Sequence, residues 1–138
     1  MEVTRRTDYA IRMVLELARR GGRRPVSVRQ LADMGAVPYA FARSVARDLS
    51  SAGLVVAHRG VAGGLTLARG PGEITLLDIL EATQGPIAVS VCVRDHAWCD
   101  RMGSCAVHDV WEQAGKLLEQ YLASKDIASL VSRRMDGE

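Results

Sequence analysis

The sequence predicts a mainly α-helical fold with one small β-hairpin, a winged helix-turn-helix followed by a long C-terminal dimerisation helix. Three observations predict it. Two short helical patterns meet at a glycine-containing turn, and the second carries outward arginines. Two β-compatible runs flanking a glycine-rich, basic tip come directly after. A broad apolar stripe at helical spacing lies near the end of the chain.

The first helix is predicted over 4–20, where Ala10, Met13, Val14, Leu17 and Ala18 recur on one face and Arg12, Arg19 and Arg20 lie off it. Gly21 and Gly22 end it. Ser27 is the expected N-cap of a short helix running through Leu31 and Ala32 to about Met34, with Gly35 as its stop. Pro38 opens the third helix, since a proline costs nothing where the amide would be unpaired anyway. The expected apolar face of this helix is Phe41, Val45 and Leu49, reinforced by Ala42 and Ala46, with Gly53 as its stop. Arg43 and Arg47 stand one turn apart on another face beside Ser44, the arrangement a helix entering a major groove requires.

Residues 54–58 and 65–68 then read as two strands joined by Arg59-Gly60-Val61-Ala62-Gly63-Gly64, the pattern of a wing. Glycines there let backbone approach a sugar-phosphate strand, and Arg59 is the expected groove or phosphate contact. Pro38, Tyr39, Arg43, Ser44, Arg47, Arg59, Gly60 and Gly63 form the candidate DNA-contacting set. Past Pro71, Thr75 and Asp78 form a capping-box start to a helix over 76–84, closed by Gly85 and Pro86. From Cys105 onward Val107, Val110, Ala114, Leu117 and Tyr121 step by threes and fours, widened by Trp111, Leu118 and Leu122. Two heptads are too few for an autonomous coiled coil, and one winged helix offers few base contacts. Val110, Trp111, Ala114, Leu117, Leu118 and Tyr121 are therefore expected to pair two copies over a near-palindromic operator.

Charge divides the chain as the elements do. Residues 1–70 carry twelve Arg against five acids, whereas residues 71–138 carry six Lys or Arg against eleven acids. The basic half suits a polyanion, because cations that neutralise phosphates release condensed counterions. We therefore read 1–70 as the DNA-binding region and 71–138 as a cysteine loop with pairing helices, together one integrated domain of 138 residues. No apolar run reaches the length of a membrane span and no signal core follows the basic start, which points to the cytoplasm and to no membrane partner. Catalysis is not expected: there is no phosphate-binding glycine loop, nucleophile motif or paired-carboxylate pattern.

Three cysteines, all between Cys92 and Cys105, make a poor disulfide framework and a reasonable metal or redox site. Cys92, Cys99 and Cys105 are separated by six and five residues, in a segment read as loop that also holds His96 and Trp98. That spacing lacks the tight pairs of most zinc sites and fits a bulkier inorganic cluster, with zinc as the competing metal. Such a cluster needs a fourth donor. His108, three residues past Cys105, and Asp8 are the two candidates, and spacing does not choose between them.

With these motifs in place the sequence resembles the Rrf2 family of bacterial transcription regulators. The resemblance spans nearly the whole chain: Thr7-Asp8-Tyr9-Ala10, the wing from Arg59 to Leu65, the run from Ile74 to Ile79, the three cysteines, and the ending from Asp126 to Val131. It implies a homodimer on double-stranded DNA, with an iron-sulfur cluster of the four-iron or two-iron type near the dimer interface whose state sets promoter affinity. It implies a regulator, expected to be a repressor, that senses nitric oxide, iron or cluster supply, or redox stress. The alternative is a cluster-free or zinc-binding thiol-redox regulator of the same fold. Asp8 stands where the family's nitric-oxide sensors place a carboxylate ligand from the partner subunit. Cys105-Ala106-Val107-His108 looks like the Cys-x-x-His of its iron-sulfur regulators.

Overall fold

The computed structural model describes residues 1–136 apart from His96 and Met102, with side chains to Arg133. Seven α-helices and one hairpin follow in chain order: α1 Arg5–Arg19, α2 Val28–Gly35, α3 Tyr39–Ser51, β1 Val55–His58, β2 Gly64–Leu67, α4 Leu76–Gln84, α5 Val91–Arg94, α6 His108–Ala123 and α7 Ile127–Asp136. A 3-10 turn at Pro71–Glu73 leads into α4.

Helix starts follow local side-chain chemistry. Thr4 caps α1 by accepting from the Thr7 amide, and Ser27 with Gln30 and Thr75 with Asp78 form reciprocal capping boxes on α2 and α4. The end of α2 differs from expectation. Gly35 remains helical and Ala36 takes the left-handed position at φ 53°, a conformation that costs a residue with a Cβ about 1–2 kcal/mol. The Val37 amide then donates to the Ala32 carbonyl, closing the turn between the two helices.

The hairpin pairs Val55 with Leu67 and His58 with Gly64 in antiparallel register. A single bridge from Val26 adds a third rung, the Val26 and Leu65 amides and carbonyls bonding reciprocally at 3.0 and 2.9 Å. That rung needs Gly64: a Cβ there, at φ +150°, would lie 2.4 Å from the Val26 carbonyl. Val26 is invisible to alternation reasoning because one residue carries no period.

Helix α1 is the centre of the core. Ala10, Met13, Val14 and Leu17 are fully buried and meet Leu31 of α2, Val45 and Leu49 of α3, and Ile79 of α4. The fully buried Ile127 brings α7 into the same cluster, held by the Ile127 amide on the Ile74 carbonyl and the Leu76 amide on the Lys125 carbonyl. In the sequence this segment carries only the family resemblance, and in the fold it is a core helix. Two further expectations are corrected. Phe41 is not on the buried face of α3 but 46% exposed, with its ring edge-on to Tyr9 at 5.6 Å. Cys92 lies in the short helix α5 and is buried, not in a loop. Among the described residues no helix is long and apolar enough to cross a membrane.

Candidate nucleic-acid interface and cysteine site

The buried residues of α3 are Ala42, Val45, Ala46 and Leu49. One helical face is thereby fixed inward, and the periodicity turns Ala40, Arg43, Ser44 and Arg47 away from the core. Pro38 is the exposed N-cap of the helix, and Tyr39 is exposed beneath the Arg29 guanidinium, 4.1 Å from the ring centroid. Arg43 and Arg47 are exposed and make no ion pair among the described residues.

That distinction sorts the arginines. Arg12 is paired with Asp8 at 2.7 Å, Arg19 with Glu16, Arg6 with Asp48 at 2.6 Å, and Arg69 with Asp78 at 3.9 Å. Arg5, Arg20, Arg23, Arg24, Arg29, Arg43, Arg47 and Arg59, and beyond residue 70 Arg94, Arg101 and Arg133, have no acidic partner among the described residues. Arg29, Arg43, Arg47 and Arg59 of that set are exposed on the helix-turn-helix and the wing, where a polyanion would meet them. Ser44 is a finer case: its hydroxyl accepts from Arg6 Nη2 at 2.7 Å, so α1 already engages it.

At the wing, Arg59 and Val61 are exposed at the tip. Gly60 sits at φ +106° with open space around it, whereas a Cβ on Gly63 would fall 2.2 Å from the His58 carbonyl oxygen. Gly63 is therefore required by the hairpin's own closure, whether or not DNA approaches it.

The cysteine segment is only partly assembled. Cys92, Cys99 and Cys105 are all free thiols, Cys92 buried and the other two half-buried. His108, at the first turn of α6, is buried with Nδ1 3.4 Å from Cys92 Sγ and Nε2 4.0 Å from Glu112. Ser90 Oγ lies 3.3 Å from the same sulfur. Thiol and imidazole side by side, both withdrawn from solvent, are donors suited to iron-sulfur or zinc ligation. Among the described residues no three such side chains converge on one point, and Cys99 and Cys105 stand in irregular backbone between α5 and α6. Asp8 is on α1, salt-bridged to Arg12 and lining an open polar hollow with Thr4, Arg5, Tyr9 and Ala36. His96, a neighbour noted in the sequence, lies outside the described residues.

The predicted pairing stripe on α6 divides in two. Ala114, Leu118 and Leu122 are half-buried, on a helix that packs against α4, while Val110, Leu117 and Tyr121 are 55%, 66% and 60% exposed, with Trp111 beside them. Residues 110, 117 and 121 stand on the exposed edge, and half-buried Ala114 completes the heptad spacing beside them.

Fold and arginine distribution define a winged helix-turn-helix DNA-binding protein of the transcription-regulator class. The Rrf2 profile, described as iron-dependent transcriptional regulator, matches residues 3–133, and the chain belongs to this family. Protein rrf2 of Nitratidesulfovibrio vulgaris is 28% identical over 95% of this chain and 87% of its own length. The regulator NsrR of Shouchella clausii is 28% identical over 99% of this chain and 92% of its own. Among solved structures, IscR of T. potens superposes with a TM-score of 0.79 at 25% identity, covering 100% of this chain and 91% of that one. CymR, the global cysteine regulator of B. subtilis, gives 0.78 at 25% identity over 96% and 98%. These relatives are regulators of transcription, not enzymes.

Proposed function

We propose that this protein is a cytoplasmic repressor that binds a near-palindromic operator as a homodimer and is controlled by an iron-sulfur cluster on Cys92, Cys99 and Cys105. The observation that carries the cluster reading is the buried contact of His108 Nδ1 with Cys92 Sγ. It favours His108 as the fourth donor. Asp8 is engaged by Arg12 on α1, and the family resemblance has such a carboxylate donated by a second subunit. A cluster in this position supplies chemistry that nitric oxide, oxygen or iron shortage can attack.

The chain's own residues do the rest. Arg43 and Arg47 enter the major groove from α3, with Ser44, Pro38 and Tyr39 at its near end. Arg59, Gly60 and Gly63 bring the wing to the adjacent minor groove or phosphates. Val110, Trp111, Ala114, Leu117, Leu118 and Tyr121 join the two α6 helices, which fixes the distance between recognition helices. A change at the cysteine segment alters that distance through α5 and α6. Complete reversal between bound and free repressor requires the two states to differ by about 5.5 kcal/mol in DNA affinity.

Anaerobic purification with iron and sulfide analysis tests the proposal directly. A brown protein that bleaches with nitric oxide or oxygen, and whose promoter affinity changes on bleaching, is the expected result. A colourless protein holding one tight zinc per chain, or thiols alone, transfers the role to the zinc or thiol-redox alternative. His108→Ala and Asp8→Ala variants, examined by native mass spectrometry of the dimer, separate the two fourth-ligand candidates.

A further inference from the structure

Arg6 was not among the residues the sequence pointed to, because its place at the first turn of α1 is far from the recognition helix in the chain. The fold brings it there. Its Nε donates to Asp48 Oδ2 at 2.6 Å and its Nη2 to Ser44 Oγ at 2.7 Å, two residues one turn apart on the flank of α3. These two bonds use one edge of the guanidinium. On the other edge, Nη1 and the second hydrogen of Nη2 make no hydrogen bond among the described residues, and the side chain is about a third exposed.

Arg6 also lines a shallow hollow of about 230 Å³ together with Ala40, Phe41 and Ser44. Phe41 is exposed against expectation, held edge-on by Tyr9. A guanidinium with its plane fixed and its charge offset by a carboxylate is poorly suited to a phosphate, where net charge dominates. It suits a directional pair of neutral acceptors. Guanine presents such a pair, O6 and N7, in the major groove, and the apolar wall of Ala40 and Phe41 fits the 5-methyl group of a thymine.

We infer that Arg6 and Phe41 form a base-reading site on the flank of the recognition helix, taking a guanine on the guanidinium fork and a neighbouring thymine methyl in the hollow. Asp48 and Ser44 are positioning residues for Arg6. The inference rests on the reading of α3 as the groove-entering helix and extends it to a residue from another helix.

The test uses full-length protein and duplexes enriched from a random library. In the enriched site, 7-deazaguanine at one guanine per half-site is expected to weaken wild-type binding about tenfold. The same replacement should leave Arg6→Gln binding unchanged. Uracil in place of the adjacent thymine should weaken wild type but not Phe41→Ala. Asp48→Asn should relax preference at that guanine while melting and circular dichroism stay near wild type. If Arg6→Gln does not fold, the modified duplexes with wild-type protein and the Asp48→Asn variant still decide. Indifference of wild type to 7-deazaguanine at every guanine of the half-site overturns the inference. So does an Arg6→Gln protein that binds all duplexes more weakly by one common factor with a shallower salt slope, the signature of a phosphate contact. Enrichment without these sensitivities sinks the Arg6 site alone, whereas no enrichment over random duplex sinks the DNA-reading assignment with it.

Discussion

Removing Arg59 at the wing tip should change how binding responds to salt more than how the protein folds. The side chain is exposed and has no acidic partner among the described residues, so truncation to Ala breaks no internal ion pair. If each wing neutralises one phosphate, each loss reduces the slope of log K against log salt by about 0.9, hence about 1.8 for a dimer. Between about 50 and about 200 mM salt, that corresponds to about a 12-fold smaller loss of affinity for the variant than for wild type. Arg19 provides the contrast, since it is partly buried and bonded to Glu16 within its own helix. Arg19→Ala should leave the slope unchanged. A filter-binding or fluorescence-anisotropy titration at several salt concentrations, on one enriched site and on random duplex, measures both. Equal slopes for Arg59→Ala and wild type would refute the reasoning, because an uncompensated arginine at a phosphate contact must release counterions.

Four further outcomes follow from local geometry. On the proposed homodimer, Leu117→Glu places a charge on the exposed edge of α6 and should cost about 4 kcal/mol of pairing over two copies, so that light scattering gives a monomer for the variant and a dimer for wild type; equal masses would count against pairing through α6. Gly64→Ala drives a Cβ into the Val26 carbonyl and should lower the melting temperature by about 10 °C, against a smaller loss for Gly60→Ala, where space is open. Ala36→Gly relieves the left-handed strain and should raise stability by up to about 1 kcal/mol in urea denaturation, with an unchanged midpoint arguing against strain in that turn. Thr7→Val removes a buried hydroxyl bonded to Gln84 Oε1 at 2.7 Å and Thr83 Oγ1 at 2.6 Å, and should cost about 2 kcal/mol, read from the same denaturation midpoints.

Elements with a period or a cap were legible in the sequence, and those set by long-range contact were not. Ala10, Met13, Val14 and Leu17 announce α1 by spacing alone, and Ser27 and Thr75 mark two helix starts that the capping bonds reproduce. Helix α4 falls on 76–84 as its capping box and Gly85 require. Phe41 departs from the buried face because, although 41, 45 and 49 share a helical stripe, the tertiary partner of that stripe's first turn is Tyr9 at the margin of the core. The four residues of α5 are too few to show periodicity, and Val26 acts as a strand only because Leu65 meets it. Within the candidate site, the arginines of α3 and the wing could be found from local pattern. Arg6 could not, since nothing in 5–8 foretells Ser44 and Asp48 across a helix interface.

On the proposed function, helix α1 offers a route by which control reaches the DNA-facing side. Its first turn is tied to α3 by Arg6, and to the C-terminal end of α4 by Thr7 with Thr83 and by the Thr4 amide with Gln84 Oε1 at 3.1 Å. Gln84 Nε2 also donates to the Glu2 carbonyl at 2.9 Å. Gly85 follows at once, and the chain then leads through α5 to Cys92. Thr7 is fully buried, so its bonds cannot be exchanged for water without opening the packing around it. A displacement of α4's end therefore has two physical options: it breaks that polar cluster, or it carries the first turn of α1, and with it Arg6, relative to Ser44 and Asp48. The second keeps the buried Thr7 bonds intact, which on the proposed function makes α1 a route between the cysteine segment and α3. A double-mutant cycle between Gln84→Ala and Arg6→Lys, read as the change in operator affinity on cluster loss, measures this coupling. Additive effects would mean that the two ends act independently and that control passes through the pairing helices alone.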